Sequence, residues 1–202
     1  MRSPGEAVWN TAQERTWTGT LFTDPYPMLV PADGTQPLLI VEMGKHGAHA
    51  RVEPHAGRSV DVRGFLLERD ARRIIELTPD DRAIVPVNAP LTTAPTPTTP
   101  TPVTLTGEIV DGKCYLGAMK PGDGLTHKAC ATLCVRGGLP PMFVSQEDGR
   151  TVFRLLIVDG STTLPDHIIA LIAEPVRIEG ERAEVGGLPI LSTTADRVVL
   201  AR

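Results

Sequence analysis

TVFRLLIVDGSTTLPDHIIALIAEPVRIEGERAEVGGLPILS, residues 151–192, decides the fold. It opens on an apolar strand, TVFRLLIV (151–158), and passes through a short helix, PDHIIALIA (165–173). It then continues into an extended segment with a hairpin partner (176–192). Pro165 fits the first helical position, and Ile168, Ile169, Leu171 and Ile172 supply an apolar stripe. Two strands precede this stretch, VTLTGEIVD (103–111) and PMFVS (141–145), and RVVLA (197–201) follows it. Three strands, a helix and further strands is the order of the OB-fold, a five-stranded Greek-key barrel with a helix between its third and fourth strands. An SH3-like or other small β-barrel is the runner-up. Closure into a barrel removes the edges that short strands would leave open.

The N-terminal half reads similarly. WTGTLF (17–22), LLIVEM (38–43) and SVDVRGFLLERDARRIIEL (59–77) are its extended segments, with 46–57 expected to close the barrel. Both halves open on a strand containing Thr-Gly, Thr18-Gly19 and Thr106-Gly107. Both later carry a strand followed by Gly and a hairpin partner, VDVRG (60–64) and VRIEG (176–180). This is a weak internal repeat, and a strand glycine suits the bend at a small barrel's corner. Between the halves lies PVNAPLTTAPTPTTPTP (86–102), a Pro/Thr-rich extended linker. The expected organisation is a mainly β chain of two small OB-like barrels with short helices only. Residues 1–85 form a diverged barrel, 86–102 the linker, and 103–202 a barrel carrying a Cys/His insert at 112–141.

Composition narrows the function. Pro and Gly number 19 each, aromatic content is 4%, and net charge is −4. The turn-rich composition fits β structure. The absence of a basic tail or cluster removes the electrostatic footprint of nucleic-acid binding. No apolar run of 18 residues is present, so no membrane span is expected. MRSPGEAVWNTAQER at the N-terminus lacks the character of a secretory signal. Pro/Thr linkers are common between exported domains, and an extracytoplasmic location is expected on that ground.

The chemistry lies in CYLGAMKPGDGLTHKACATLC, which holds all three cysteines, Cys114, Cys130 and Cys134, and His127. On a helix, His127, Cys130 and Cys134 are i, i+3 and i+7, and project within a sector of roughly 60°. Cys114 approaches from the preceding strand. Four soft or borderline donors suit one metal ion, zinc or copper, with iron a further choice. No CxxC knuckle, ferredoxin spacing or CxxCH haem motif is present. The alternatives are a disulfide, a thiol–disulfide oxidoreductase or metallochaperone working through Cys130 and Cys134, or simple core packing. Thr126 is the expected helix N-cap, and Gly137-Gly138 the expected stop. Cys130 then lies in the first turn, where the helix dipole and Lys128 favour thiolate. Met119 and Met142 are additional soft donors near the insert, though packing accounts for both. His46, His49 and His55 read as a solvated loop and His167 as a surface residue. No catalytic triad, P-loop or dinucleotide motif appears, and no catalytic residue is assigned.

GEIVDGKCYLGAMKPGDGLTHKACATLCVRGGLPP resembles a group of poorly characterised bacterial proteins with the pattern GE(I/V)xDxxC(Y/F), HxxCAxxC and GGxPP. The matching residues are Gly107, Glu108, Asp111, Cys114, Tyr115, His127, Cys130, Ala131, Cys134, Gly137, Gly138, Pro140 and Pro141. The resemblance implies an exported or membrane-associated small β-domain and treats the four Cys/His positions as a unit. The expected function is that of a non-catalytic accessory protein with a metal or redox site, serving a protein partner such as a membrane-bound redox complex. The second expectation is a plain binding module stapled by a disulfide.

Overall fold

The computed structural model describes residues 7–70 and 72–201. In chain order the strands are β1 (Val8–Trp9), β2 (Arg15–Phe22), β3 (Met28–Pro31), β4 (Leu38–Val41), β5 (Ser59–Arg69), β6 (Arg72–Leu77) and β7 (Ile84–Pro86). They continue with β8 (Thr101–Asp111), β9 (Pro141–Glu147), β10 (Arg150–Val158), β11 (Pro175–Val185), β12 (Leu188–Thr193) and β13 (Val198–Leu200). The α-helices are short: α1 (His49–Val52), α2 (Lys128–Arg136) and α3 (Asp166–Ile169). The protein is mainly β and forms two closed five-stranded barrels.

Both barrels close by one rule. In the first, β2 pairs antiparallel with β3 and β5, β3 with β4, and β5 with β6, while β4 and β6 run parallel. In the second, β8 pairs antiparallel with β9 and β11, β9 with β10, and β11 with β12, while β10 and β12 run parallel. This is OB-fold connectivity, with α1 or α3 between the third and fourth strands. The repeat holds in register. Gly19 faces Val60 across β2 and β5, and Gly107 faces Val176 across β8 and β11. A Cβ on Gly19 would overlap the carbonyl oxygen of Val30, and one on Gly107 that of Val144, so both first strands bend where only glycine fits.

The first half is therefore a full barrel. Its second strand is MLVP, Met28–Pro31. Residues 46–57 do not close the barrel; they supply α1 and the 3-10 turn Glu53–His55. Closure comes instead from β6, which follows β5 in a hairpin. RVVLA contributes β13, which lies outside the closed ring and pairs with β11. Pro165 is the N-cap of α3 rather than its first residue, and the helix is shorter than its apolar stripe suggests.

Alternation along the strands builds three cores. Leu38 and Ile40 point into the first barrel with Leu21, Leu29, Val60, Val62, Ile75 and Leu77. Ile109, Phe143, Leu156, Ile168, Val176 and Leu191 fill the second. The third core lies between the barrels. Leu39, Val41, Met28, Leu67 and Ile74 pack there against Val110, Met142, Val144, Phe153, Leu155 and Leu188. That third layer explains why LLIV is apolar at every position: both faces of β4 are covered. Burying side chains of this kind contributes about 1.5–3 kcal/mol each.

The Pro/Thr segment is extended but anchored at both ends. The Thr92 N–H donates to Thr20 Oγ1 (2.8 Å) on the first barrel. The Thr98 N–H donates to the Glu184 carbonyl (2.9 Å) on the second, and the Glu184 N–H donates back to Thr98 Oγ1 (2.9 Å). β8 begins at Thr101, inside the segment.

Candidate metal centre

The insert is the connection between β8 and β9, the first and second strands of the second barrel. It does not stand clear of the protein. Cys114, Tyr115, Leu116, Cys134 and Leu139 all belong to the core between the barrels. Arg69 of the first barrel lies over the Tyr115 ring, 4.1 Å from its centroid, and Phe153 meets the same ring edge-on at 5.5 Å.

Asp111 organises the start of the insert. It is fully buried at the end of β8. Its Oδ1 accepts the Cys114 N–H at 2.7 Å, fixing the helical turn Cys114–Ala118. Its Oδ2 lies 3.0 Å from His127 Nε2, also buried. One carboxylate thus orients two of the four expected donors. The loop returns through the 3-10 turn Leu125–His127, with His127 as the N-cap of α2. Thr126 makes no capping hydrogen bond, because the turn places it one position ahead of the N-cap.

The donors form two overlapping groups. Cys114, His127 and Cys130 offer ligand atoms within 4.8 Å of one another, as do Asp111, Cys114 and Cys134. Cys114 is common to both. All three cysteines are free thiols. Cys114 and Cys134 are buried and Cys130 is partly exposed. A Cys/His cluster able to hold a metal ion is therefore present. It includes a carboxylate that the spacing of cysteines and histidine did not single out.

The first barrel also contributes. Lys45, in the loop after β4, places Nζ 2.7 Å from Cys130 Sγ and 3.6 Å from Cys134 Sγ. The expected positive neighbour, Lys128, instead pairs with Glu174 Oε1 at 2.6 Å. Several contacts hold the Lys45 loop in place. Lys113 Nζ donates to the carbonyls of Glu42 (2.9 Å) and Gly44 (2.8 Å), and pairs with Glu76 Oε2 (2.6 Å) in a buried ion pair between the barrels. The Gly47 N–H donates to the Gly137 carbonyl (2.8 Å), and Tyr26 Oη donates to the Gly138 carbonyl (2.6 Å). A side chain at Gly137 would collide with the Lys45 carbonyl. Gly137-Gly138 thus does more than end α2: it lets the loop of the other barrel lie against the helix terminus.

These contacts divide the thiols. The hydrogen bond from Cys114 lowers the Cys134 thiol to about 7, with the Lys45 ammonium and Cys130 acting in the same direction. Cys114 is pushed far up, first by giving that hydrogen bond, then by burial and by the Asp111 carboxylate. Lys45 is raised, chiefly by its close contact with Cys130. The cluster thus favours ionisation at Cys134 over Cys114, beside a fixed cation.

Other sequence candidates lie elsewhere. Met119 is exposed, and Met142 packs in the core between the barrels. His46 and His49 are exposed, and His49 lines a cleft with Tyr26 and Arg136. His167 is exposed on α3. Among the described residues, no helix is long and apolar enough to cross a membrane.

No family model and no curated protein matches the chain. Among solved structures, it is similar to the crystal structure of the Cpx pathway activator NlpE from Escherichia coli. The identity is 15%, over 93% of this chain and 94% of that one, with a TM-score of 0.28. A superposition of that quality sets no residue of this chain against a residue of that protein.

Proposed function

We propose that this chain is a non-catalytic accessory protein that holds one metal ion between its two barrels. Cys114, His127, Cys130 and Cys134 are the ligands, and Asp111 orients the imidazole. The observation that carries this reading is the sharing of Cys114 between two donor groups, each within 4.8 Å. Asp111 at His127 Nε2 leaves Nδ1 as the coordinating nitrogen, the carboxylate–histidine pairing typical of metal ligands. Zinc is the favoured ion. Three thiolates and an imidazole suit its tetrahedral preference. The charge also fits: zinc with three thiolates carries one net negative charge, which the Lys45 ammonium offsets, whereas copper(I) would leave two. The ion would tie the two arms of the insert together and neutralise the thiolates beside the first barrel's Lys45; nothing in the cluster calls for turnover.

Service to a protein partner, such as a membrane-bound redox complex outside the cytoplasm, belongs to the same proposal. It is supported by the Pro/Thr composition of 86–102 and by the resemblance of the Cys/His motif. Elemental analysis with thiol counting on freshly purified protein tests the metal. One zinc per chain, lost in Cys114→Ser after competition with a chelator, is the expected result. Metal-free protein with three titratable thiols removes the reading.

One observation favours a second reading, thiol–disulfide exchange. The low Cys134 thiol beside a proton-holding Cys114 is the arrangement of an attacking thiolate and its partner. The reactive pair would then be Cys114 and Cys134, rather than Cys130 and Cys134. Reversible loss of two thiols in a glutathione redox buffer, without metal, would favour it.

A further inference from the structure

The contact between Lys45 and Cys130 does not fit an ordinary hydrogen bond. N–H···O bonds centre near about 2.9 Å, and a sulfur acceptor, being larger, sits several tenths of an ångström further out. Lys45 Nζ and Cys130 Sγ are 2.7 Å apart. That is closer than N–H···S contact allows and too far for a direct bond. It matches two atoms bonded to a common oxygen: single bonds shorter than the ~2.05 Å of a disulfide, meeting at an open angle, hold nitrogen and sulfur roughly 2.6 Å apart.

We propose that Lys45 and Cys130 form a reversible covalent N–O–S cross-link between the two barrels, and that oxidation thereby withdraws Cys130 from the metal-ligand set. The cross-link stands on the geometry of the pair. Its effect on metal rests on the proposed function above.

Three features support this modification. The pair is accessible: Lys45 is exposed and Cys130 partly so, while Cys114 and Cys134 are buried, so a small oxidant reaches Cys130 first. It is held in place from both sides. Lys113 fixes the carbonyls of Glu42 and Gly44 on one side of Lys45, and the Gly47–Gly137 hydrogen bond fixes the other. Holding two reacting groups in this way replaces a bimolecular encounter with a unimolecular step. Finally, the two residues come from different barrels, so the bond would staple a packed interface without moving it.

The chemistry balances with dioxygen as oxidant. An ammonium and a thiolate hold the same atoms as an amine and a thiol. The S–H bond and one N–H bond break, and S–O and N–O bonds form. One oxygen atom of O2 becomes the bridge, and the other leaves as water with the two released hydrogens. Dioxygen takes up four electrons from sulfur and nitrogen. Peroxide reaches the same product in two steps. One equivalent converts the thiol to sulfenic acid and water, and a second couples that acid to the amine with release of two waters. Four equivalents of a small thiol reverse the reaction, giving the free lysine, the free cysteine, one water and two disulfides of the reductant.

Mass spectrometry of the full chain tests the proposal. Reduced, metal-free protein is exposed to air or hydrogen peroxide, digested with trypsin without reductant, and compared with a sample treated with dithiothreitol. The cross-link blocks cleavage after Lys45 and joins residues 16–51 to residues 129–136, with a gain of about 14 Da over the two peptides. The joined species should disappear with dithiothreitol. It should fall at least about tenfold in Lys45→Arg and in Cys130→Ser, yet persist in Cys134→Ser, which leaves the closer sulfur in place. Normal cleavage at Lys45, with sulfinic acid at Cys130 or a disulfide as the sole oxidation product in wild type, overturns it. Zinc uptake by the same wild-type samples separates the two readings. Uptake by reduced protein without any cross-link leaves the metal reading standing and removes this one. A cross-link in protein that takes up no metal when reduced does the reverse. Loss of uptake on oxidation together with the joined peptides, both reversed by dithiothreitol, supports both.

Discussion

The two barrels share connectivity, register and bend positions, and they differ most between their first and second strands. In the first barrel, β2 passes to β3 through residues 23–27. In the second, β8 passes to β9 through residues 112–140, which carry every cysteine and a buried histidine. One scaffold thus carries a turn in one copy and a metal-competent site in the other, the usual division between a rigid frame and a functional loop. The plain barrel is still no bystander. It lends Lys45 to the thiols, Glu76 to the buried ion pair and half of the intervening core.

The largest expected effect tests that dependence. Lys113→Met leaves the Glu76 carboxylate buried without its cation, and breaking such a pair costs about 3–5 kcal/mol. Chemical denaturation should show this loss, with recovery in the double variant Lys113→Met/Glu76→Leu. A loss below 1 kcal/mol, an upper limit typical of exposed pairs, would mean that the barrels do not depend on this contact.

Asp111→Asn comes next. It keeps the shape and removes the charge that orients His127, so metal affinity should fall about 10–100-fold, as for other outer-shell carboxylates. Chelator competition measures it. Unchanged affinity would place His127 outside the centre.

The pH dependence is smaller. Cys134 has its folded-state pKa lowered from 9.0 to about 7. A depressed acid contributes stability above its unfolded value and loses it as pH falls through its folded value, so this contribution grows between pH 7 and 9 and is absent below 7. Cys114, raised, acts oppositely: its contribution is present below its unfolded value and declines as pH climbs past 9. Metal-free reduced protein should therefore be most stable near pH 9. An ultraviolet thiolate titration should show one step near 7 that Cys134→Ser removes.

The smallest effect is expected from cutting the chain. Cleavage between Thr92 and Pro97 severs the strap but not the core between the barrels, so the fragments should stay associated and retain metal. Separation on a sizing column would mean that the barrels are held together by the strap.

Much of this was legible in the primary structure because short-range rules set it. The Thr-Gly strands and the helix after TVFRLLIV follow from bends, turns and periodicity, each fixed within a few residues, whereas Gly64 and Gly180 do not end their strands but lie inside the long strands β5 and β11. The spacing of Cys130 and Cys134 places both on α2 by helix geometry, whereas His127 sits in the turn ahead of the helix and groups with Cys130 rather than Cys134; Asp111 capping Cys114 three residues on is a contact of the same local kind. The second strand of the first barrel was obscured because MLVP lies between prolines and reads as loop. The site's partners across the interface had no local signal at all. Lys45 and Cys130 are separated by 85 positions, and Lys113 and Glu76 also come from different halves. A lysine flanked by glycines in GKHG reads as solvated until its loop is laid against Gly137. Sequence alone therefore determined which cysteine and histidine donors share one insert and the barrel that presents it, since helical and strand periods act over a few residues. Only the packing of one barrel on the other decided that the thiols face a fixed cation, because that contact exists only once the apolar outer faces of β4 and β9 are buried together.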